Sequence, residues 1–402
     1  MKISTPSFLF YSLLLFILIS CNNDTMEEIL PVVVDFTFSI EDNQIVTFTN
    51  KSENATSYEW DFGDGNFSTE ENPTHQYSLS DCHTFNVELT AHGDKTSSAT
   101  KELYINLPAS PNLEDLNYAP TQSRHSGIHF THNGKGYIGL GYFAYYFGGF
   151  RGYNPSSDSW DSHYPEAGLV GGAWFIIDDI LYFGLGENAY HSSSTGEPHS
   201  FNAYDLASET VVLLDEEFPL SSQVNFVNFP IGFSYDGKGY VLADYPNNPN
   251  GKIMYQFDPV TQSWTDIGSF PCSATSNMMH FVIDGKLYVG LGKLGAVNSV
   301  TYVNDFWEYD LELNTWSQKN DFPLNSPVVN NISFTRNGKG YFVIGGRDIW
   351  EYSPDEDSWI HIERFPCGIV ANSGGFLIDD TFYFFQTTER EEQMEFYKYT
   401  FD

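Results

Sequence analysis

The sequence predicts an all-β chain: a small sandwich followed by a ring of six repeated sheets. Three observations carry that prediction. A Phe is followed three residues on by Asp or Asn and seven residues on by Tyr, six times over. The copies are Phe130/Asn133/Tyr137, Phe175/Asp178/Tyr182, Phe233/Asp236/Tyr240, Phe281/Asp284/Tyr288, Phe334/Asn337/Tyr341 and Phe376/Asp379/Tyr383. Their Phe-to-Phe steps of 45, 58, 48, 53 and 42 residues mark a repeat architecture. Upstream of the repeats, short runs alternate apolar and polar residues as half-buried strands do. Finally, 34 Phe and 26 Tyr against 6 Met suit a pleated, half-buried surface.

The N-terminus reads as an export signal. Lys2 is the only charge before Cys21, and an apolar run from Phe8 to Ile19 follows it. The run is short for a bilayer span, which takes about 20 apolar residues. It ends Leu18-Ile19-Ser20-Cys21, which resembles the lipobox of bacterial lipoprotein signals. The resemblance implies that residues 1–20 are a signal peptide and that Cys21 carries a lipid. The protein would then be anchored to a membrane without crossing it. Residues 21–31, with Asp24, Glu27 and Glu28, form a polar tether. An acidic tether after such a cysteine resembles a surface-export signal. The expected location is the outer membrane or cell surface, with the periplasmic face as the other option.

Charge and cysteines narrow the partners. With 18 basic and 53 acidic residues the net charge is -35, a field that repels phosphate backbones and excludes nucleic acid. The acids are scattered, as on a soluble extracellular surface. Besides Cys21 there are Cys82, Cys272 and Cys367, an odd number that argues against a disulfide framework. Cys272 and Cys367 each follow Phe-Pro, so they hold equivalent places in two repeats and read as small buried or loop residues.

Residues 32–107 form the sandwich. Strands are expected around 34–38, 45–48, 85–89 and 102–105. Between them stand Trp60-Asp61-Phe62-Gly63-Asp64-Gly65 and Asn72-Pro73-Thr74-His75-Gln76-Tyr77. Trp60 and Phe62 alternate onto one face, Gly63 and Gly65 supply turn geometry, and Asp61 and Asp64 can satisfy turn amides. His75 reads as a residue that holds a loop. The tract resembles the PKD domain, an immunoglobulin-like β-sandwich. That resemblance implies a spacer or adhesive module and no catalysis.

Residues 108–402 hold the repeats, each read as four strands. The Asp or Asn of the repeat opens a two-residue turn, Asn133-Gly134 being one, and such pairs are strong hairpin signals. The third strand ends in an aromatic: Tyr153, Tyr204, Phe257, Tyr309, Tyr352 or Tyr399. Seven residues beyond it stands Trp160, Trp264, Trp316 or Trp359, with Val211 in the second unit. Asp305-Phe306-Trp307-Glu308-Tyr309-Asp310 with Asn314-Thr315-Trp316 resembles the Kelch repeat of β-propellers. The resemblance implies a six-bladed Kelch-type propeller. A Gly-Gly pair that closes the second strand in that family survives at Gly345-Gly346. It becomes Leu-Gly at Leu140, Leu185 and Leu291 and is absent from the third and sixth units, where distorted blades are expected. The last unit stops before a fourth strand. Leu113 lies as far before Phe130 as Trp264 lies before Phe281, so residues 111–117 are expected to complete the final blade and protect its edge.

Candidate ligand-binding residues come from loops that gather on one propeller face. They are Arg124, His125, Tyr142, Tyr145, Tyr146, Tyr190, Asn277, Asn331 and Arg347. Aromatic faces beside amides suit a sugar, whose C–H groups stack on rings and whose hydroxyls bind polar side chains. His129 and His280 share the slot before the repeated Phe, where Trp174 also falls. In opposite blades they read as buried, hydrogen-bonded histidines and not as metal ligands. No catalytic set, metal or cofactor is expected. The chain reads as an envelope module binding a glycan or protein ligand. Resemblance to the galactose oxidase/Kelch superfamily leaves a sugar-modifying enzyme, of the bacterial sialic acid mutarotase kind, as the alternative. No residue of galactose oxidase's copper-binding set can be assigned here.

Overall fold

The computed structural model describes residues 30–41, 44–78, 83–105, 111–116, 127–140, 149–163, 172–186, 201–214, 218–219, 230–244, 251–294, 300–324, 332–365, 374–387 and 394–401. Two compact units emerge, one ending at Ile105 and one running from Asn106. All regular structure in the described residues is strand.

The first unit stacks two antiparallel sheets. One orders Phe36–Glu41, Ile45–Asn50 and Thr74–Gln76. The other orders Phe67–Ser68, Ser57–Asp61, His83–His92 and Thr96–Ile105. Phe36, Phe48, Trp60, Phe62, Tyr77, Val87 and Leu89 fill the space between them. Trp60 is fully buried, and its indole N–H donates to the Glu70 carbonyl at 2.9 Å. The turn that follows is built as its sequence requires. Asp61 and Asp64 accept from the amides of Gly63 and Asn66, and Gly63 and Gly65 have φ of 78° and 88°. His75 stacks on Phe62 with centroids 4.2 Å apart and bonds Asp64 at 2.7 Å, so it holds this loop as expected.

The second unit contains six four-stranded antiparallel sheets. Their innermost strands are Ile128–His132, Ala173–Ile177, Ile231–Tyr235, Met279–Ile283, Ile332–Arg336 and Gly374–Ile378. Each packs against the next around a closed circuit, giving a six-bladed β-propeller. The repeat explains itself in the register. In every blade the repeated Phe faces the repeated Tyr across the first hairpin, with ring centroids 4.8–5.8 Å apart. A two-residue turn midway between them forces that pairing. In four blades both turn residues have positive φ, as in Asn133 (48°) and Gly134 (70°).

The final sheet orders Gly374–Ile378, Thr381–Thr387, Met394–Thr400 and Leu113–Asp115. Leu113 pairs with Tyr399, the place Trp264 takes opposite Phe257. The segment ahead of the first blade therefore closes the ring, as the spacing predicts.

The seams between blades alternate. In blades one, three and five the residue before the repeated Tyr is Gly136, Gly239 or Gly340. A Cβ there would lie 2.0–2.1 Å from the repeated Phe of the preceding blade: Phe376, Phe175 and Phe281 respectively. In blades two, four and six the same position is Leu181, Leu287 or Phe382, all fully buried. At these even blades the second turn residue meets the blade before. His132 bonds Asp179 at 2.8 Å and Arg336 donates to Asp380 at 2.9 Å, while Gly285 lies under the Tyr235 hydroxyl. Asp replaces the usual turn Gly where a basic side chain reaches it. The ring is thus three two-blade units in sequence chemistry as well as six in shape.

The departures from the Gly-Gly pattern resolve locally. Leu140, Leu185 and Leu291 take the left-handed conformation of Gly345, with φ of 58°, 64°, 56° and 59°. Left-handed geometry costs roughly 1–2 kcal/mol for a side-chain-bearing residue. Burying the leucine stabilises by about 1.5–3 kcal/mol, which offsets it, and all three are buried. Blade three has a register shift between Ile253 and Tyr255, but the second strands that lack the Gly pair in blades three and six are continuous, as Lys238–Asp244 and Thr381–Thr387.

Candidate functional site

Side chains alternate along a strand, so the residues flanking each repeated Phe take the other face of their sheet, as Trp174 does toward Phe130 and His280 toward Phe233 of the preceding blades. They line a cavity of about 680 Å³ on the axis of the ring. The row before the Phe is His129, Trp174, Gly232, His280, Ser333 and Gly375. The row after it is Thr131, Ile176, Ser234, Val282, Thr335 and Leu377. This second row also follows the two-blade rhythm, with hydroxyls in odd blades and branched aliphatics in even ones. Thr131 donates to the Leu377 carbonyl and Ser333 to the His280 carbonyl, both at 2.5 Å, so these hydroxyls tie neighbouring inner strands together. Gly127, Gly172, Pro230, Asn277 and Lys293 surround the mouth, where the inner strands begin.

The wall is chemically uneven. Trp174 stands in blade two with Phe130 5.6 Å and His129 6.1 Å from its ring. Blade four brings Asn277, His280 and Lys293 to the cavity, and backbone bonds between Ser276 and Lys293 hold that corner. Burial pushes the His280 imidazole down to about 4, against a hydrogen bond with the Gly232 backbone, so the ring is neutral at pH 7. His129 and His280 do share one slot in blades one and four, and both line the cavity. Among the described residues no group of three or more His, Cys, Asp or Glu is placed to hold a metal ion.

Of the expected ligand residues, Asn277 lies at the channel mouth, in a left-handed conformation with φ of 55° that Asn tolerates. Arg347 lies outside the cavity lining, and its guanidinium donates to the Phe365 carbonyl at 3.0 and 3.2 Å. Arg124, His125, Tyr142, Tyr145, Tyr146, Tyr190 and Asn331 fall outside the described residues, as does Cys21. Cys272 is buried, with its thiol pushed up to about 12 by burial. Sequence reasoning missed Lys293 and the hydroxyls of Thr131, Ser234, Ser333 and Thr335. The signal for the four hydroxyls was present, since each stands one residue from a repeated Phe.

Residues 31–107 match the family model of the PKD domain. The fold of the ring also has solved counterparts. Among 678 matching chains is the structure of YjhT, which superposes with a TM-score of 0.54 at 15% identity over 69% of this chain and 94% of that one. At that identity the likeness bears on fold alone. No curated protein matches the chain significantly.

Proposed function

We propose that this chain is an envelope lipoprotein, tethered through Cys21, whose propeller binds a glycan at its channel mouth without transforming it. The observation that carries the reading is the axial cavity. Its size falls within the range of about 300–1,000 Å³ usual for small-molecule pockets, and its lining includes an indole, an amide, two imidazoles and several hydroxyls. A pyranose fits such a wall, because its C–H face stacks on Trp174 while its hydroxyls reach Asn277, His129 and His280. The blades are read as Kelch-type from their recurring aromatics, and the PKD domain as the spacer between lipid and propeller. Arg124, His125, Tyr142, Tyr145, Tyr146, Tyr190 and Asn331 are read as extending the ligand face beyond the cavity.

A glycan array with the full chain and its Trp174→Ala variant tests the site. The variant is expected to bind roughly tenfold more weakly, since loss of an aromatic stacking partner is worth about 0.5–1.5 kcal/mol beyond area. Undiminished glycan binding by Trp174→Ala removes the cavity as the site. The anchor has its own test. Metabolic labelling with an alkynyl fatty acid should mark the wild type, and Cys21→Ser should lose both the label and membrane retention. A Cys21→Ser protein that still fractionates with membranes would contradict lipid anchoring.

A further inference from the structure

The chain carries 53 acidic residues, yet among the described residues none that lines the cavity is Asp or Glu. Basic residues show the reverse pattern. Lys135, Lys238, Lys286, Lys319, Lys339 and Lys398 each lie within 3.6 Å of a carboxylate. Lys252 donates to the Cys272 carbonyl. Among the described residues of the propeller, Lys293 is the lysine left without an acidic or carbonyl partner for its side chain, and it is the one on the cavity wall.

We infer that the cavity takes a ligand of about monosaccharide size bearing one carboxylate, with the carboxylate against Lys293 and Asn277 and the apolar face toward Trp174. The inference deepens the reading of the channel as a binding site and rests on it. Its physical basis is local. A protein of net charge -35 repels anions over most of its surface, so an anion is held only where acids are excluded and a cation is uncommitted. A lysine beside apolar walls gains more from a charged partner than an exposed one does, because fewer waters compete. His280 adds hydrogen-bonding capacity but no charge, being neutral at pH 7. Lys293 therefore supplies the discrimination between an acidic sugar and a neutral one.

Titration calorimetry of the full chain with galacturonate, galactose and the non-sugar carboxylate cyclohexanecarboxylate, at low and high salt, tests this. Galacturonate is expected to bind about tenfold more tightly than galactose at low salt, with the margin shrinking as salt rises. Lys293→Met, checked for folding by its melting curve, is expected to abolish that margin. Lys293-dependent binding of cyclohexanecarboxylate alone would support the carboxylate site and overturn the sugar reading. Equal binding of galacturonate and galactose, or an unchanged margin in Lys293→Met, overturns the inference and leaves a neutral-sugar site standing. Absence of binding by all three overturns both.

Discussion

Gly340→Leu is expected to destabilise the propeller by roughly 3 kcal/mol or more, at the upper end for overpacked cores. A Cβ on Gly340 would sit 2.0 Å from the Phe281 ring, which is itself held among Phe342, Phe306 and Tyr288 at 5.2, 6.0 and 5.5 Å. Phe281 is only 4% exposed, so these neighbours hold its ring in a packed site. Phe281→Ala alone is expected to cost about 3–5 kcal/mol, by leaving a cavity. The double variant should be more stable than the sum of the two, by at least about 1 kcal/mol, because the new leucine fills the vacated space. Leu287 occupies the equivalent place one blade earlier and is fully buried, so there Leu287→Gly is the harmful direction. Urea unfolding of the four proteins reads the effect. A Gly340→Leu protein within about 0.5 kcal/mol of wild type would sink the alternating-seam account, that being the range of changes away from packed features.

Trp60→Ala should cost the PKD domain about 3–5 kcal/mol, the usual range for emptying a large aromatic site. Trp60 touches Phe36 edge-on at 5.1 Å and Phe48 at 5.3 Å, and it joins the two sheets. Its loss also strands the Glu70 carbonyl that accepts the indole N–H. A domain of this size has about 5–15 kcal/mol in total, so the change consumes much of its stability. Hydrogen exchange on the full chain is the measurement. Peptides from His83–His92 and Thr96–Ile105 should lose protection, whereas Trp60→Phe should retain most of it. Unaltered protection in Trp60→Ala would show that the tryptophan is peripheral to the sandwich.

Much of the candidate site was legible but read for another purpose. The residues on either side of each repeated Phe, His129 and Thr131 around Phe130 among them, border the channel in all six copies. The two histidines and Trp174 stood out in sequence because they are conspicuous residues in a shared slot. The serines and threonines in neighbouring slots did not, although their positions were equally determined. Lys293 was not legible at all, since it reaches the cavity through bonds with Ser276 from a different stretch of blade four. Arg347 reads as a loop residue in the sequence, and only the fold reveals that its guanidinium meets the Phe365 carbonyl.

By itself the sequence determined whatever depends on neighbours along the chain. The facing of Phe and Tyr, the turn between them, the six-fold repeat and the His75 loop anchor all follow from contacts within one hairpin or one turn. Even the closing strand was readable, because Leu113 keeps the spacing of an ordinary fourth strand. Only the tertiary structure decided why Gly precedes Tyr in alternate blades, why Asp179 and Asp380 stand where a turn prefers Gly, and why three leucines adopt left-handed backbone. Those choices answer to side chains arriving from another blade or to burial that the completed ring creates. Thr131 and Leu377 meet across 246 residues of chain. No local pattern encodes such a meeting, since its energy exists only once the ring has closed.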